Sequence, residues 1–203
     1  MLQFVHNNQD QAPDSVLRGM FAARREVFVD LLKWDVPVLD GKYEIDQFDD
    51  EHAHYLILTA PDRSHLASAR LLPTIRPHIL DSLYPDLCDG PPPAANDVFE
   101  ITRFCLDRRL RAPARRVARD ALVRGLVDHA LDTGIARYTA IAELGWFSQI
   151  LAFGWDCLPL GLPRVIDGAT LAAFEIAITP ETPARLAAAG IVTSSDTESR
   201  RAA

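Results

Sequence analysis

The pattern of apolar and polar residues predicts a chain in which helices and strands alternate. In residues 15–33, apolar side chains recur at helical spacing, whereas residues 35–52 show no sustained period and are predicted to form a loop. Apolar runs at 55–59 and 66–72 flank a Pro-Asp-Arg-Ser turn and predict a β-hairpin. The first third of the chain therefore predicts one helix followed by two paired strands.

The alternation continues in the rest of the chain. A strand is predicted at 98–106, and the helix predicted at 113–132 has an apolar stripe and ends near Gly134. The remaining predicted elements are a helix at 143–152 and strands at 138–142, 155–159 and 171–178. A strand, a crossover helix and a second strand in this order predict an α/β sandwich. The polar residues 193–203 are predicted to be disordered.

The composition argues against several classes of protein. The chain has 203 residues and a formal charge of −7, which argues against nucleic-acid binding through bulk charge. The sequence shows no apolar run of bilayer length and no signal peptide, so we expect a cytoplasmic protein without a membrane partner. Its three cysteines are far apart and form no C-x-x-C pair, which favours a reducing compartment and argues against a zinc site.

An acidic segment precedes the predicted hairpin. The stretch EIDQFDDEHAHYLIL, residues 44–58, begins with five carboxylates in eight positions. Their spacing does not match a calcium-binding loop, and His52 and His54 have no evident third ligand, so we predict that no metal binds here. Two interpretations stay open from these residues alone: a solvated acidic loop, or the anionic wall of a pocket for a cationic substrate.

Two charged residues interrupt the apolar strand predicted at 98–106. Glu100 and Arg103 lie within VFEITRFCLD, where a buried charge is unfavourable unless it is paired or functional. In a regular strand they point to opposite faces, because an odd number of residues separates them. A β-bulge shifts the phase by one residue and would bring both to one site. A structural ion pair with a charge elsewhere in the chain is the alternative.

Arginines concentrate where this strand passes into the following helix. In an acidic protein, such a local reversal of sign suits phosphate at a helix N-terminus or an acidic protein partner. A solvated helix face is the alternative. The arginines are Arg108, Arg109, Arg111, Arg115, Arg116 and Arg119.

Taken together, these residues resemble the acyl-homoserine-lactone synthases of bacterial quorum sensing, the autoinducer synthase family. The similarity follows the chain in order and covers roughly residues 18–160. It is carried by the phrases RREVFVDLLKWDVP, EIDQFDDEHAHYLI, ASARLLPT and FEITRFCLD. The characteristic residues in these phrases are Arg24, Phe28, Trp34, Asp46, Asp49, Arg70, Glu100 and Arg103.

The resemblance implies both a fold and a reaction. The fold is of the α/β (α+β) class, an α-β-α sandwich similar to the GCN5-related N-acetyltransferases (GNAT), in which a mostly antiparallel, bulged sheet splays into a V-shaped cleft. A single domain is implied for residues 1–192, with a mobile substrate-binding segment at about 1–50. In the implied reaction, an acyl group passes from acyl-carrier protein or acyl-CoA to the amine of S-adenosylmethionine. The product then lactonises and releases methylthioadenosine, without a metal or redox cofactor.

The resemblance also implies catalytic roles. Glu100 is the leading candidate for the general base that removes a proton from the substrate ammonium group, directly or through a water. Arg70 is implied to hold Asp46 and Glu100 in one charge network, because the two acids would otherwise repel each other. No cysteine occupies the position of a nucleophile, which favours direct transfer over an acyl-enzyme.

A larger set of residues is implied to bind S-adenosylmethionine. The acids would favour its positive groups, the arginines would take its carboxylate or organise the acids, and the aromatic rings would face its adenine or sulfonium. An ordinary core position on the helix is the alternative for Phe28. The implied binding residues are Arg24, Phe28, Trp34, Asp46, Asp49 and Arg103.

The identity of the acyl donor and acyl chain is less constrained. A threonine found in several family members that make 3-oxoacyl products corresponds to Ala142, which indicates a different chain here. Trp146 and Phe147 would shorten the acyl pocket and favour short, branched or aryl groups, or they are core side chains. We expect a monomer or a weak homodimer. The carrier protein or the coenzyme A phosphates would contact Arg108, Arg109, Arg111, Arg115 and Arg116.

Two other functions are weighed against this one. Another GNAT-like acyltransferase acting on a different amine would carry a glycine-rich phosphate loop after the central strand, and RLRAPARRVA lacks those glycines. A catalytically silent protein that binds S-adenosylmethionine or an acyl carrier would have lost one of four charged residues. All four are present: Asp46, Arg70, Glu100 and Arg103.

Overall fold

The computed structural model of the chain describes residues 1–6 and 14–192. The predicted disorder of residues 193–203 lies outside the described residues. The predicted single domain over 1–192 and the mobile segment at about 1–50 stay predictions. Within the described ranges, no helix is both long and apolar enough to cross a membrane.

The secondary structure alternates as the sequence pattern predicts. The elements in chain order are β1 (Leu2–His6), α1 (Asp14–Arg24), a π-helical segment (Arg25–Leu31), β2 (Val38–Leu39), β3 (Tyr43–Glu44), β4 (His54–Thr59), β5 (His65–Pro73), α2 (Ile79–Ser82), a 3₁₀ turn (Pro85–Leu87), β6 (Val98–Leu106), α3 (Ala112–Thr133), β7 (Arg137–Glu143), α4 (Leu144–Leu151), β8 (Asp156–Pro159), β9 (Arg164–Ile166), β10 (Ala169–Ala177) and α5 (Thr182–Ala188).

One sheet contains eight of these strands in the order β1-β4-β5-β6-β7-β10-β8, with β9 paired to β10. Pairing is antiparallel between β1 and β4, β4 and β5, and β10 and each of β7, β8 and β9. Strands β6 and β7 are parallel, because the crossover through α3 returns the chain to the end of the sheet at which β6 began. This mixed, mostly antiparallel sheet confirms the predicted α+β class.

The chain divides into two compact units. The first contains Met1–Leu71 and Arg103–Leu122, and the second contains Leu72–Thr102 and Val123–Ala203. In the first unit, the π-helical segment continues directly from α1 and buries Val27 and Phe28. π-helical turns are uncommon and occur frequently at functional sites. This segment therefore marks one side of the candidate site.

In the second unit, β6 and β7 pair over a short stretch. The register joins Val98–Ile101 to Arg137–Ala140, and the strands continue to Leu106 and Glu143. The Tyr138 hydroxyl anchors β7 because it donates a 2.9 Å hydrogen bond to the Leu126 carbonyl of α3.

Strand β6 is irregular at the position that the sequence indicates. Arg103 has a φ of 50°, in the left-handed region that non-glycine residues rarely adopt. A positive φ inside a strand interrupts the strict alternation of side chains, as a bulge does. The irregularity agrees with the bulge predicted from the spacing of Glu100 and Arg103.

Candidate active site

A cluster of buried charges lies in the first unit, where α1 ends against the acidic loop. Arg24 is the last residue of α1, and its Nε donates a hydrogen bond to Glu44 Oε2. Its two terminal nitrogens donate to the two oxygens of Asp49 at 2.8 Å each. The side chains of Glu44 and Asp49 are fully buried, so these are charge pairs held away from water.

The strands contribute two further arginines to this cluster. Arg70 of β5 donates to both oxygens of Asp46, at 2.6 and 3.0 Å, and its Nη1 lies 2.9 Å from Asp49 Oδ1. Arg103 of β6 donates to Glu44 Oε1 and, at 2.7 Å, to Asp46 Oδ2. Each carboxylate therefore lies between two guanidinium groups.

These pairs close into a ring of alternating charge. Three arginines face three acids, so the charges balance, and every member has a partner on each side. Buried charges are tolerated when they are paired and hydrogen-bonded in this way. We call this group the charge ring, and its members in order are Arg24, Glu44, Arg103, Asp46, Arg70 and Asp49.

The backbone of the acidic loop fixes the spacing of its carboxylates. The Asp49 amide donates to the Asp46 carbonyl at 3.1 Å, and the Asp46 amide donates to Asp49 Oδ2 at 2.9 Å. The Phe48 amide donates to Asp46 Oδ1. A tight turn of this kind requires the two aspartates to be three residues apart, so their spacing follows from the turn as well as from the arginines.

The ionised form of Asp49, one of the acids of the charge ring, is strongly favoured. Burial alone would raise the pKa of this carboxyl, but hydrogen bonds from Arg24 and the charge of Arg70 hold the pKa far below its ordinary range. The buried Tyr55 hydroxyl also donates to Asp49 Oδ1 at 2.9 Å. Burial and the charge of Asp49 raise the pKa of Tyr55, so its phenol stays a hydrogen-bond donor.

Two aromatic residues adjoin the ring through Arg103. The rings of Phe28 and Trp34 are stacked, with centroids 4.7 Å apart and an interplanar angle of 16°. The Arg103 guanidinium carbon lies 5.6 Å from the Phe28 centroid and 5.8 Å from the Trp34 centroid, within cation–π range. Phe28 is buried, whereas Trp34 is 38% exposed. Trp34 therefore presents an accessible aromatic face beside the charge ring.

Glu100 accepts hydrogen bonds from two backbone amides of the second unit. It is fully buried, and its two oxygens accept hydrogen bonds from the Ile79 amide at 2.8 Å and the Leu80 amide at 3.1 Å. These amides begin α2, so the carboxylate anchors that turn. Arg70 pairs with Asp46 and Asp49, whereas its predicted link between Asp46 and Glu100 and the role of Glu100 as a base stay predictions.

The residues predicted for the acyl pocket lie on β7 and α4. Ala142 pairs with Ala172 of β10, and the Phe147 ring lies 5.1 Å from that of Phe174. Trp146 is half-buried, and none of the α4 side chains is fully buried. An apolar helix that stays partly accessible is compatible with a pocket wall, so the acyl-pocket assignment stays a prediction.

The arginine cluster separates into two groups. The Arg109 guanidinium forms a two-point hydrogen bond with Asp107, and Arg115 Nη1 lies 3.5 Å from the Asp107 carbonyl oxygen. Arg108, Arg111 and Arg116 are exposed, and the Arg109 side chain is also 69% exposed although it is paired. The exposed members are the ones that a phosphate or an acidic partner would reach first.

Among the described residues, no group of three or more His, Cys, Asp or Glu side chains is arranged to hold a metal ion. The His52 and His54 pair considered from the sequence forms no such group within residues 1–6 and 14–192. The acidic segment at residues 44–58 supplies the three carboxylates of the charge ring.

Sequence reasoning did not assign Glu44 and Tyr55, although both lie in the quoted acidic segment. Glu44 is fully buried and bridges Arg24 to Arg103. An available signal was the position of Glu44 two residues before Asp46, with apolar Ile45 between them. The decisive information, which arginines reach this loop, depends on contacts between residues 20 to 59 positions apart.

We expect a histidine outside the ring to make stability depend on pH. Burial lowers the pKa of His65 to about 4, from roughly 6.5 in an unfolded chain. Between these two pH values, His65 is therefore protonated in the unfolded chain and neutral in the folded chain. The free energy of unfolding should fall by about 3 kcal/mol as pH decreases from about 6.5 to about 4.

Denaturant titrations across this pH range measure that dependence. His65→Gln should weaken it, whereas His52→Gln should retain it, because the His52 side chain is 38% exposed. Equal pH dependence in the His65 variant and the unmodified chain would contradict the assignment.

Comparison with solved structures defines the class of protein. MesI, a CoA-dependent acyl-homoserine lactone synthase, matches with a TM-score of 0.82 at 28% identity, over 96% of this chain and 97% of that chain. BjaI, a CoA-dependent acyl-homoserine lactone synthase solved with S-adenosylmethionine and isopentyl-CoA, has a TM-score of 0.83 at 27% identity, over 93% of this chain and 87% of that chain. The chain has the GNAT-like fold of these synthases and is an acyltransferase.

Sequence comparison then identifies the family. The family model described as autoinducer synthase matches residues 8–183. An acyl-homoserine-lactone synthase of Ralstonia nicotianae is 30% identical over 196 residues, which is 94% of this chain and 95% of that protein. The chain belongs to the autoinducer synthase family, and its function is the synthesis of acyl-homoserine lactone signals for quorum sensing. The resemblance predicted from the sequence is confirmed.

Proposed function

We propose that the chain joins the acyl group of an acyl thioester to the amine of S-adenosylmethionine and then closes the lactone. The observation that carries this proposal is the charge ring beside the stacked Phe28–Trp34 pair, in a chain of this family. An accessible aromatic face and balanced, fixed charges suit a substrate that carries a sulfonium, an ammonium and a carboxylate.

Burial divides the charge ring into supporting and substrate-facing members. The side chains of Glu44, Asp49 and Arg70 are fully buried. Asp46 is 7% exposed and Arg103 is 9% exposed, so these two retain access to a ligand. We assign Asp46 to the substrate ammonium and Arg103 to the substrate carboxylate. The other members hold these two in place before the substrate binds, which lowers the entropic cost of binding.

The reaction then needs two bond exchanges. Glu100 accepts a proton from the ammonium, and the free amine attacks the thioester carbonyl, so that an amide forms and the thiol leaves. The substrate carboxylate next attacks its own γ-carbon, which closes the lactone and expels methylthioadenosine. The three thiols of the chain are poor nucleophiles, because burial raises the pKa of Cys105 to about 12, that of Cys157 to about 11, and that of Cys88 above its ordinary value. Direct transfer without an acyl-enzyme is therefore favoured.

For the acyl donor, we propose acyl-CoA with a short or branched chain. MesI and BjaI are described as CoA-dependent, and BjaI was solved with isopentyl-CoA. The exposed arginines offer charge for coenzyme A phosphates. Acyl-carrier protein as donor, a monomeric or weakly dimeric state, and the cytoplasmic location expected from the sequence stay predictions.

Product analysis of the purified chain tests the proposed function. The protein is incubated with S-adenosylmethionine and a panel of acyl-CoAs and acyl-carrier-protein thioesters, and the products are identified by mass spectrometry. We expect an acyl-homoserine lactone and methylthioadenosine in equal amounts, with the highest rate for a short or branched acyl-CoA. S-adenosylhomocysteine is the control, because without a sulfonium it provides no leaving group for lactonisation. Folded protein that forms no lactone with any donor contradicts the proposal.

Binding of S-adenosylmethionine should alter the environment of Trp34. A ligand cannot enter between rings whose centroids are 4.7 Å apart, so it must contact the outer face of Trp34 or separate the pair. We expect a change in tryptophan fluorescence on titration with S-adenosylmethionine. Trp34→Phe should abolish the change and raise KM for this substrate, whereas Trp155→Phe, in the second unit, should retain the change. A full fluorescence response in the Trp34 variant would exclude this contact.

A further inference from the structure

A buried hydroxyl on β7 has no described hydrogen-bond partner. Thr139 is fully buried, and within the described ranges its Oγ1 neither donates nor accepts a hydrogen bond. Most buried polar groups in folded proteins are paired, and an unpaired hydroxyl is destabilising. A valine of nearly the same shape would remove this defect. The hydroxyl therefore requires an explanation other than packing.

The sheet register places Thr139 beside the proposed base. Thr139 is opposite Glu100 on β6 and opposite Glu175 on β10. Residues in register on neighbouring strands project from the same face of a sheet. The hydroxyl thus lies in one row between two carboxylates.

The two carboxylates are engaged in different ways. Glu175 is partly exposed and accepts a 3.0 Å hydrogen bond from Arg137. Glu100 is fully buried and accepts the two amide hydrogen bonds that begin α2. A water molecule between Glu100 and Thr139 would satisfy the Thr139 hydroxyl and could donate to the carboxylate.

We propose that Thr139 is a positioning residue for Glu100, and that its hydroxyl and the carboxylate together hold the water through which the substrate proton is transferred. The inference rests on the proposed role of Glu100 as general base. The substrate ammonium gives one proton to the water, and the water gives one proton to Glu100. The amine gains its free electron pair, and no oxidant, reductant or metal is required.

Thr139→Val removes the hydroxyl with little change in shape. We expect kcat to fall about ten-fold or more, with little change in KM for S-adenosylmethionine. The acidic limb of the kcat–pH profile should move to higher pH, because one hydrogen bond that favours the ionised base is lost. The midpoint of denaturant unfolding should stay the same or rise. Thr139→Ser should restore both kcat and the pH profile.

A second threonine in the same unit provides a matched control. Thr74 is also buried, but its hydroxyl donates a 2.8 Å hydrogen bond to the Val98 carbonyl. Thr74→Val should lower the unfolding midpoint and leave the kcat–pH profile unchanged. This contrast separates loss of a structural hydroxyl from loss of a positioning one.

The results distinguish this inference from the role of Glu100 itself. If Glu100→Gln abolishes turnover while Thr139→Val keeps normal kcat and an unchanged pH profile, the positioning role of Thr139 is overturned and the base role stands. If Thr139→Val destabilises the fold and serine does not restore turnover, the hydroxyl is structural and the inference is also overturned. Normal turnover in Glu100→Gln overturns both proposals.

Discussion

Glu44→Gln is expected to lower the free energy of unfolding by about 3–5 kcal/mol. The neutral amide keeps the shape of the side chain but removes the negative charge between Arg24 and Arg103. Two buried guanidinium groups then share one uncompensated positive charge, and an unpaired buried charge is much more unfavourable than the absence of the whole pair. Turnover should fall as well, because Arg103 loses one of the two acids that orient it.

Denaturant unfolding of the variant at neutral pH measures the stability effect. Glu51→Gln is the matched control, because Glu51 lies in the same loop but its side chain is 65% exposed. We expect the control to change stability by about 0.5 kcal/mol or less. A Glu44→Gln variant as stable as Glu51→Gln would show that the ring does not support the first unit.

Glu100→Gln is expected to reduce turnover by roughly a hundred-fold to ten-thousand-fold, the usual contribution of a general base. The substitution also affects the fold, because an amide side chain has one acceptor oxygen while the Ile79 and Leu80 amides both need an acceptor. A loss of about 1–3 kcal/mol in stability is expected from the amide left unpaired. Turnover must therefore be measured per folded molecule.

Initial rates of lactone formation, at a temperature where circular dichroism shows both proteins folded, make that measurement. Glu175→Gln is the control, since Glu175 is a partly exposed carboxylate of the same sheet row that pairs with Arg137. The control should retain most of the turnover. Near-normal turnover in the Glu100 variant would remove this residue from the base role and assign it to the support of α2 alone.

Strongly patterned segments of the fold were predictable from the sequence. The strand predicted at 98–106 is observed at Val98–Leu106, and the helix predicted at 113–132 is observed at Ala112–Thr133. Both have a sustained period over many residues, so local preference and burial agree. Even the irregularity at Arg103 was indicated, because two charges at an odd spacing conflict with a regular buried strand.

Other elements depend on partners that local sequence does not reveal. Strand β1 was not predicted, and it forms because Leu2–His6 pairs with β4 across more than 40 intervening residues. Strand β9 and helix α5 were also not predicted. They are short, at Arg164–Ile166 and Thr182–Ala188, and too few residues repeat to show a period. The paired strands β2 and β3 lie within the segment predicted as a loop.

The charged residues of the site were predictable, but only part of their pairing was. The resemblance implied that arginines organise the acids and that Arg70 holds Asp46, and these two residues do pair. The two arginines that meet at Asp49 were not individually predicted. A loop that lacks periodicity does not reveal which distant side chains will reach it. Glu44 illustrates the difficulty, because its importance follows from Arg24 and Arg103 meeting at its two oxygens.

A crystal structure of the chain with bound S-adenosylmethionine tests the central claim most directly. The account predicts a ligand that contacts Asp46, Arg103 and the face of Trp34, with all six charge-ring side chains still paired as they are without the ligand. A ligand bound away from these three residues, or a ring that opens so that Glu44 or Asp49 contacts the ligand, would contradict it.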